Sequence, residues 1–201
     1  MSTLTLVVLG RSRDECCVAG RGIDPSMADE LIFVANLSAQ WGGLGRIGNH
    51  YLAAAQGDVL GLVHADLMLS GTVCTALVAA ATGGAIAGVV GRGDPGGIWS
   101  RDVTAPTPVS TLDSCSVFVS RATAARVQVS FDEKTFDWFH CCVEDFCLQA
   151  AAAGLPVLVV PGWADHPNPC MSSRNGWPVN EHRLYKEKLE RKWAGTPFLT
   201  T

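Results

Sequence analysis

Gly57-Asp58-Val59-Leu60-Gly61-Leu62-Val63-His64-Ala65-Asp66 decides how this chain folds. Gly57-Asp58 marks a turn, and Leu60, Leu62 and Val63 supply an apolar run of strand length. The strand stops at two groups that can ligate a metal. His64 and Asp66 stand two residues apart, so extended backbone points both toward one face. Open α/β sheets bind ligands outside the carboxyl ends of their strands. A divalent cation held by an Asp and a His at such a place would neutralise a diphosphate. The competing reading is that Asp66 caps the next helix and His64 is an ordinary loop residue. Spacing alone leaves both open.

The rest of the chain supports a globular domain around that strand. Its 201 residues fit one domain, or one domain with a tail. A hydrophobic content of 48% against 17% charged describes a protein with a sizeable core. The net charge is −4, and Lys and Arg are scattered until the last segment, which argues against a nucleic-acid partner. The apolar run near the start follows no basic region and precedes no small-residue cleavage site, so it reads as a first strand and not a signal peptide. The run of Ala and Gly from Ala76 to Val90 is broken at Thr82-Gly83-Gly84, short of the ~20 apolar residues of a membrane span. A cytoplasmic protein with no integral membrane segment is expected. The eight cysteines include no Cys-x-x-Cys pair, so reduced, buried thiols are expected in place of zinc or disulfides.

Apolar runs at Leu4–Leu9, Glu30–Ala35, Val59–Val63, Ala85–Val90, Ser114–Val119 and Pro156–Val160 read as strands. Helices are expected over Asn49–Gln56, Thr72–Ala81 and Phe146–Ala153, with Gly57 and Gly154 as stops. Ser38–Gly48, with four glycines, reads as a flexible connection, and Gly91–Pro108 as a Gly- and Pro-rich excursion. Strands apolar on both faces and alternating with helices indicate an α/β sheet covered by helices. From Pro161 onward the composition turns polar, and Arg183–Trp193 reads as a charged, amphipathic helix that could form an appendage.

Two further sites carry chemistry. Glu144-Asp145 opens the Phe146 helix, where acids suit the helix dipole and plain capping competes with a carboxylate that removes a proton from a hydroxyl. His166 follows the last strand and would complete a metal site with His64 and Asp66 if its strand end lies near theirs.

In order along the chain stand Ala53-Ala54-Ala55-Gln56-Gly57-Asp58, Leu62-Val63-His64-Ala65-Asp66, Ile86–Gly91, Trp99, Asp113-Ser114, Phe131-Asp132-Glu133, Phe139-His140, Asp145–Ala150, Gly154, His166 and Lys192-Trp193. This succession resembles a small family-2 glycosyltransferase of the GT-A fold, in the subgroup related to the StrF domain. The resemblance implies a mostly parallel sheet flanked by helices, with a catalytic domain over residues 1–170 and a polar tail with a basic helix over 171–201. It implies an enzyme that moves a sugar from a nucleotide-diphospho-sugar to a hydroxyl acceptor with inversion. Asp66, His64 and His166 would hold Mn²⁺ or Mg²⁺, and Asp145 or the neighbouring Glu144 would be the general base. Gly10, Arg11, Asn36 and Asp113 would line the donor. The segment Val34–Ser38 lacks the acid pair usual in the family, and Val143 stands where the subgroup often has an acid. A nucleotidyltransferase and an inactive nucleotide- or sugar-binding protein remain the alternatives, and a homodimer stays open.

Overall fold

The computed structural model describes residues 2–10, 23–35, 41–93, 96–166 and 179–198, with side chains from 182 onward in the last segment. Strand β1 (Leu4–Leu9) is buried along its whole length. Its side chains alternate between two cores, Val7 and Leu9 on one face and Leu4, Leu6 and Val8 on the other, as a strand covered on both sides requires. β2 (Glu30–Val34) and β3 (Val59–His64) flank β1, both parallel to it.

Beyond β3 the sheet continues through β10 (Ser116–Ser120), β5 (Ile86–Gly88), β11 (Val157–Val159) and β8 (Thr107–Pro108), giving seven strands in the order β2-β1-β3-β10-β5-β11-β8. Five share one direction. β10 runs against β3 and β5, and β8 against β11. The register sets Phe118 of β10 opposite Gly61, where a Cβ would lie 2.6 Å from the Phe118 ring. That close approach explains a glycine in the middle of the deciding strand.

Helix α1 (Leu44–Ala54) packs Leu44 and Ile47 on the core that also holds Val7 and Leu9. So do α3 (Arg121–Val127), through Ala124, and α4 (Cys142–Ala152), through Val143, Phe146, Cys147 and Ala150. Helix α2 (Gly71–Thr82) covers the opposite face with Val73, Cys74, Leu77 and Ala81. The result is a three-layer α/β/α sandwich.

The expected flexible connection is partly wrong, because α1 begins at Leu44, five residues before the expected helix start, and takes in Gly45 and Gly48. A Cβ on Gly48 would fall 2.4 Å from the Phe131 ring, so tight packing against that ring overrides the poor helix propensity of glycine. At the other end of α1, Arg121 donates to the carbonyls of Leu52, Ala53 and Gly57 at 2.9, 2.9 and 3.2 Å and fixes the turn into β3.

The expected strand Ala85–Val90 is also two elements. β5 ends at Gly88, Val89 donates its N–H to Ser116 Oγ at 3.0 Å, and β6 (Val90–Gly93) leaves for a second sheet. There β6 pairs with β7 (Gly96–Trp99) and β9 (Thr111–Leu112), so the Gly- and Pro-rich excursion contributes to a small antiparallel sheet before β8 returns to the large one. The charged terminal helix, α5 (Val179–Lys192), is no appendage, since Leu189 is buried and Tyr185 nearly so in the same core as α4. Among the described residues, no helix is long and apolar enough to cross a membrane.

Candidate functional site

Helices α1, α2 and α4 each lead into a strand of the common direction, so their N-termini gather at the carboxyl edge of the sheet. β3 delivers His64 to that edge, where the backbone turns at once. Ala65 N–H donates to the Leu9 carbonyl at 2.8 Å, and Leu67 N–H to the His64 carbonyl at 3.1 Å. This turn lifts Asp66 clear of the sheet. Next, β4 (Met68–Leu69) pairs antiparallel with β12 (Ala164–Asp165), Met68 against Asp165. That short ladder carries His166 back over the turn, so that its Nε2 lies 2.9 Å from Asp66 Oδ1.

His64, Asp66 and His166 thereby offer three ligand atoms within 4.8 Å of one another. The His64 and His166 rings stand 6.0 Å apart. The His166 side chain is 11% exposed and that of Asp66 38%, so the cluster is open on the carboxylate side. Burial pushes Asp66 up, but the hydrogen bond from His166 and the charges of both histidines outweigh it and hold the carboxyl below its ordinary value. Burial likewise opposes charge on His166, yet the bond to Asp66 and the nearby Asp113 and Asp165 raise it overall. Metal-free, the pair therefore favours imidazolium against carboxylate.

Gly10 ends the neighbouring strand, its N–H donating to Val34 O at 3.0 Å. Asp113 sits at the same edge, where Oδ1 accepts from Cys115 N–H at 2.8 Å and its charge reaches His166. Arg11 and Asn36 lie outside the described residues.

The acids of α4 are placed differently from the expectation. Asp145 has no exposed surface. Its Oδ1 accepts from Trp193 Nε1 at 2.8 Å and lies 2.8 Å from Lys192 Nζ. Its Oδ2 accepts from Gln149 Nε2 at 2.7 Å and from Lys192 Nζ at 2.9 Å. Asp145, expected as the base for an acceptor hydroxyl, thus has both oxygens engaged by side chains of α4 and of the C-terminal segment. Glu144 is 4% exposed on the same turn, and Val143 beside it is fully buried.

Sequence reasoning gave His140 no role. It precedes α4, stands edge-on to His182 of α5 with ring centroids 5.3 Å apart, and lies within reach of His64's charge. Burial first, then His182 and His64, lower its pKa to about 4, so it is neutral near pH 7. No local pattern marks it, because α5 meets it only in the folded chain. The described cysteines 74, 115, 141, 142 and 147 are buried and free. Burial pushes the Cys74 thiol up to about 11 and raises the other four, so these thiols are unreactive packing groups.

No protein-family model and no curated protein matches this chain. Solved structures do. S. aureus TarS, a GT-A-like glycosyltransferase, superposes with a TM-score of 0.53 at 15% identity over 80% of this chain and 35% of TarS. The S. aureus TarS 1-349 structure superposes with a TM-score of 0.50 at 13% identity, over 80% of this chain and 58% of that one. The fold is GT-A-type. This chain spans about a third of TarS and under two thirds of the shorter TarS chain.

Proposed function

We propose that the chain is a metal-dependent glycosyltransferase that uses a nucleotide-diphospho-sugar donor and a hydroxyl acceptor, of the StrF-domain-like subgroup. One observation carries this reading: His64, Asp66 and His166 converge at the carboxyl edge of a GT-A-type sheet. Two imidazoles and one carboxylate suit a transition metal such as Mn²⁺ better than Mg²⁺, whose preferred ligands are oxygens. A cation held there offsets the negative charge that gathers on a departing diphosphate.

The chain's own residues do the rest. Asp66 stays ionised at neutral pH and offers the open side of the cluster to ligand. His166 must release its proton before its Nε2 can ligate. Gly10, at the end of β1, presents backbone and no side chain where a nucleotide would lie. Asp113 is fixed by its bond from the Cys115 N–H and stands on the donor side.

An inverting transfer needs a base for the acceptor hydroxyl. Both acids of α4 are buried, Asp145 with its oxygens engaged by Gln149, Lys192 and Trp193, so both Asp145 and Glu144 are to be tested as that base. A second reading, a nucleotide-sugar-binding protein without transferase activity, is favoured by the burial of both acids.

Calorimetric titration of UDP and GDP, each with and without Mn²⁺, into the wild type and Asp66→Ala tests the donor site. Mn²⁺-dependent binding of one nucleotide, lost in Asp66→Ala, is expected. Nucleotide binding indifferent to Mn²⁺ and to Asp66 would overturn the metal-dependent reading. Glu144→Gln or Asp145→Asn that binds donor normally but transfers nothing would separate the enzyme from the binding protein.

A further inference from the structure

We propose that Trp99, Arg101, Trp163 and Asp165 form an acceptor subsite beside the metal-ligand cluster, which takes a sugar unit of an uncharged oligosaccharide beyond the unit that reacts. Its role toward an acceptor rests on the glycosyltransferase reading. Its capacity to bind saccharide does not.

The link to the cluster runs along β12. His166 follows this strand and bonds to Asp66, while Asp165, one residue earlier, points to the other side and has Oδ1 3.7 Å from Arg101 Nη1. Arg101 stands over the Trp99 ring, its guanidinium carbon 4.7 Å from the centroid. Trp99 ends β7 of the small sheet, and Ser100–Asp102 follows as a short 3₁₀ turn. Gly162 N–H donates to the Ser100 carbonyl at 3.1 Å and ties that turn to the entry of β12.

Trp163 is presented at this junction by constrained backbone. Trp163 is 53% exposed, Ala164 is buried and Asp165 is part exposed, so Trp163 and Asp165 share the outer side of the segment. The Trp163 carbonyl accepts from Ser70 N–H, at the cap of α2, at 3.1 Å. Gly162 before it has φ +139°, and a Cβ there would lie 2.8 Å from Val73 Cβ, so only glycine serves. One exposed apolar side chain is ordinary, but this one stands beside a second indole and a pinned guanidinium.

Chemistry selects the occupant. An indole offers an electron-rich face to the C–H groups of a sugar ring. Arg101 and Asp165 hold each other in place yet keep half and more than a third of their side chains in solvent, which leaves fork donors and carboxylate oxygen for hydroxyls. The charge of Arg101 is answered by Asp165, and Asp102 beside it is exposed, so the patch has no spare cation for a phosphate chain. A neutral, polyhydroxylated ring suits all of these groups. Reach sets its position: the three residues from His166 back to Trp163 span about 10 Å when extended, too far for the sugar whose hydroxyl reacts at the cluster.

The test applies the full chain, Trp163→Ala, Trp163→Phe and Arg101→Lys to an array of defined neutral mono- to hexasaccharides. Each saccharide retained is then titrated calorimetrically without nucleotide, and UDP and GDP with Mn²⁺ are titrated separately. Wild type should bind oligosaccharides of one series and not the corresponding monosaccharide. Trp163→Ala should weaken that binding about tenfold, and Trp163→Phe should restore most of it. Arg101→Lys should weaken it too, since lysine keeps the charge and loses the planar fork. Mn²⁺-dependent nucleotide binding should be unchanged in all three variants. Wild type that binds no saccharide overturns the proposal, as does binding that is indifferent to Trp163→Ala or to chain length. Saccharide binding as expected with no nucleotide bound in the presence of Mn²⁺ sinks the donor reading and leaves the saccharide site standing. Nucleotide binding without saccharide binding sinks the subsite alone.

Discussion

Asp66 and Asp145 are both carboxylates held by a cationic partner, and they differ in what they leave free. Asp66 takes one bond from His166 and keeps more than a third of its side chain in solvent. Asp145 is sealed, with Gln149, Lys192 and Trp193 on its two oxygens. The first geometry can exchange its hydrogen bond for a metal and a ligand. The second has no lone pair left to offer. Closeness to a cation is common to the two acids; spare coordination is what separates them.

The largest effect should come from the sealed pair. Lys192→Met leaves Asp145 buried without its cation and should cost about 3 kcal/mol, read from urea unfolding midpoints. A loss under about 1 kcal/mol would place Lys192 with ordinary surface charges and dissolve the contrast. Asp66→Ala should behave in the opposite way. Stability should hold within about 1 kcal/mol, while Mn²⁺ affinity falls by more than tenfold, about 1.4 kcal/mol.

A pH titration sharpens the open site. The pKa of His166 is raised in the metal-free protein. The stability that its pair with Asp66 contributes is thus fully present below the ordinary His value of about 6.5 and is lost as pH rises through the higher folded value. Metal affinity runs the other way, because the metal must displace that proton. Mn²⁺ binding should strengthen from about pH 6 to about pH 8. Affinity that is flat over that range would remove His166 from the ligand set. The smallest effect belongs to the exposed pair Arg183–Glu187 on the outer face of α5, at 3.3 Å. Arg183→Ala should cost no more than about 0.5 kcal/mol, measured by the same unfolding midpoints.

The sequence alone determined the layered α/β sheet, because strands buried on both faces are apolar almost throughout, as Leu4–Leu9, with Thr5 its one polar residue, and Val59–Val63 are. It also placed His64 at the end of a strand with Asp66 beside it, although the extended backbone expected across the pair gives way to a turn at Ala65. The extent of α1 was hidden, because Gly45 and Gly48 read as loop until Phe131 is packed on them. His166 joins Asp66 across a hundred residues only through the pairing of β4 with β12. Tertiary structure decided the fate of Asp145 as well. An acid in a first helical turn looks the same in sequence whether it faces a substrate or a lysine 47 residues away, and only the docking of α5 selects the lysine.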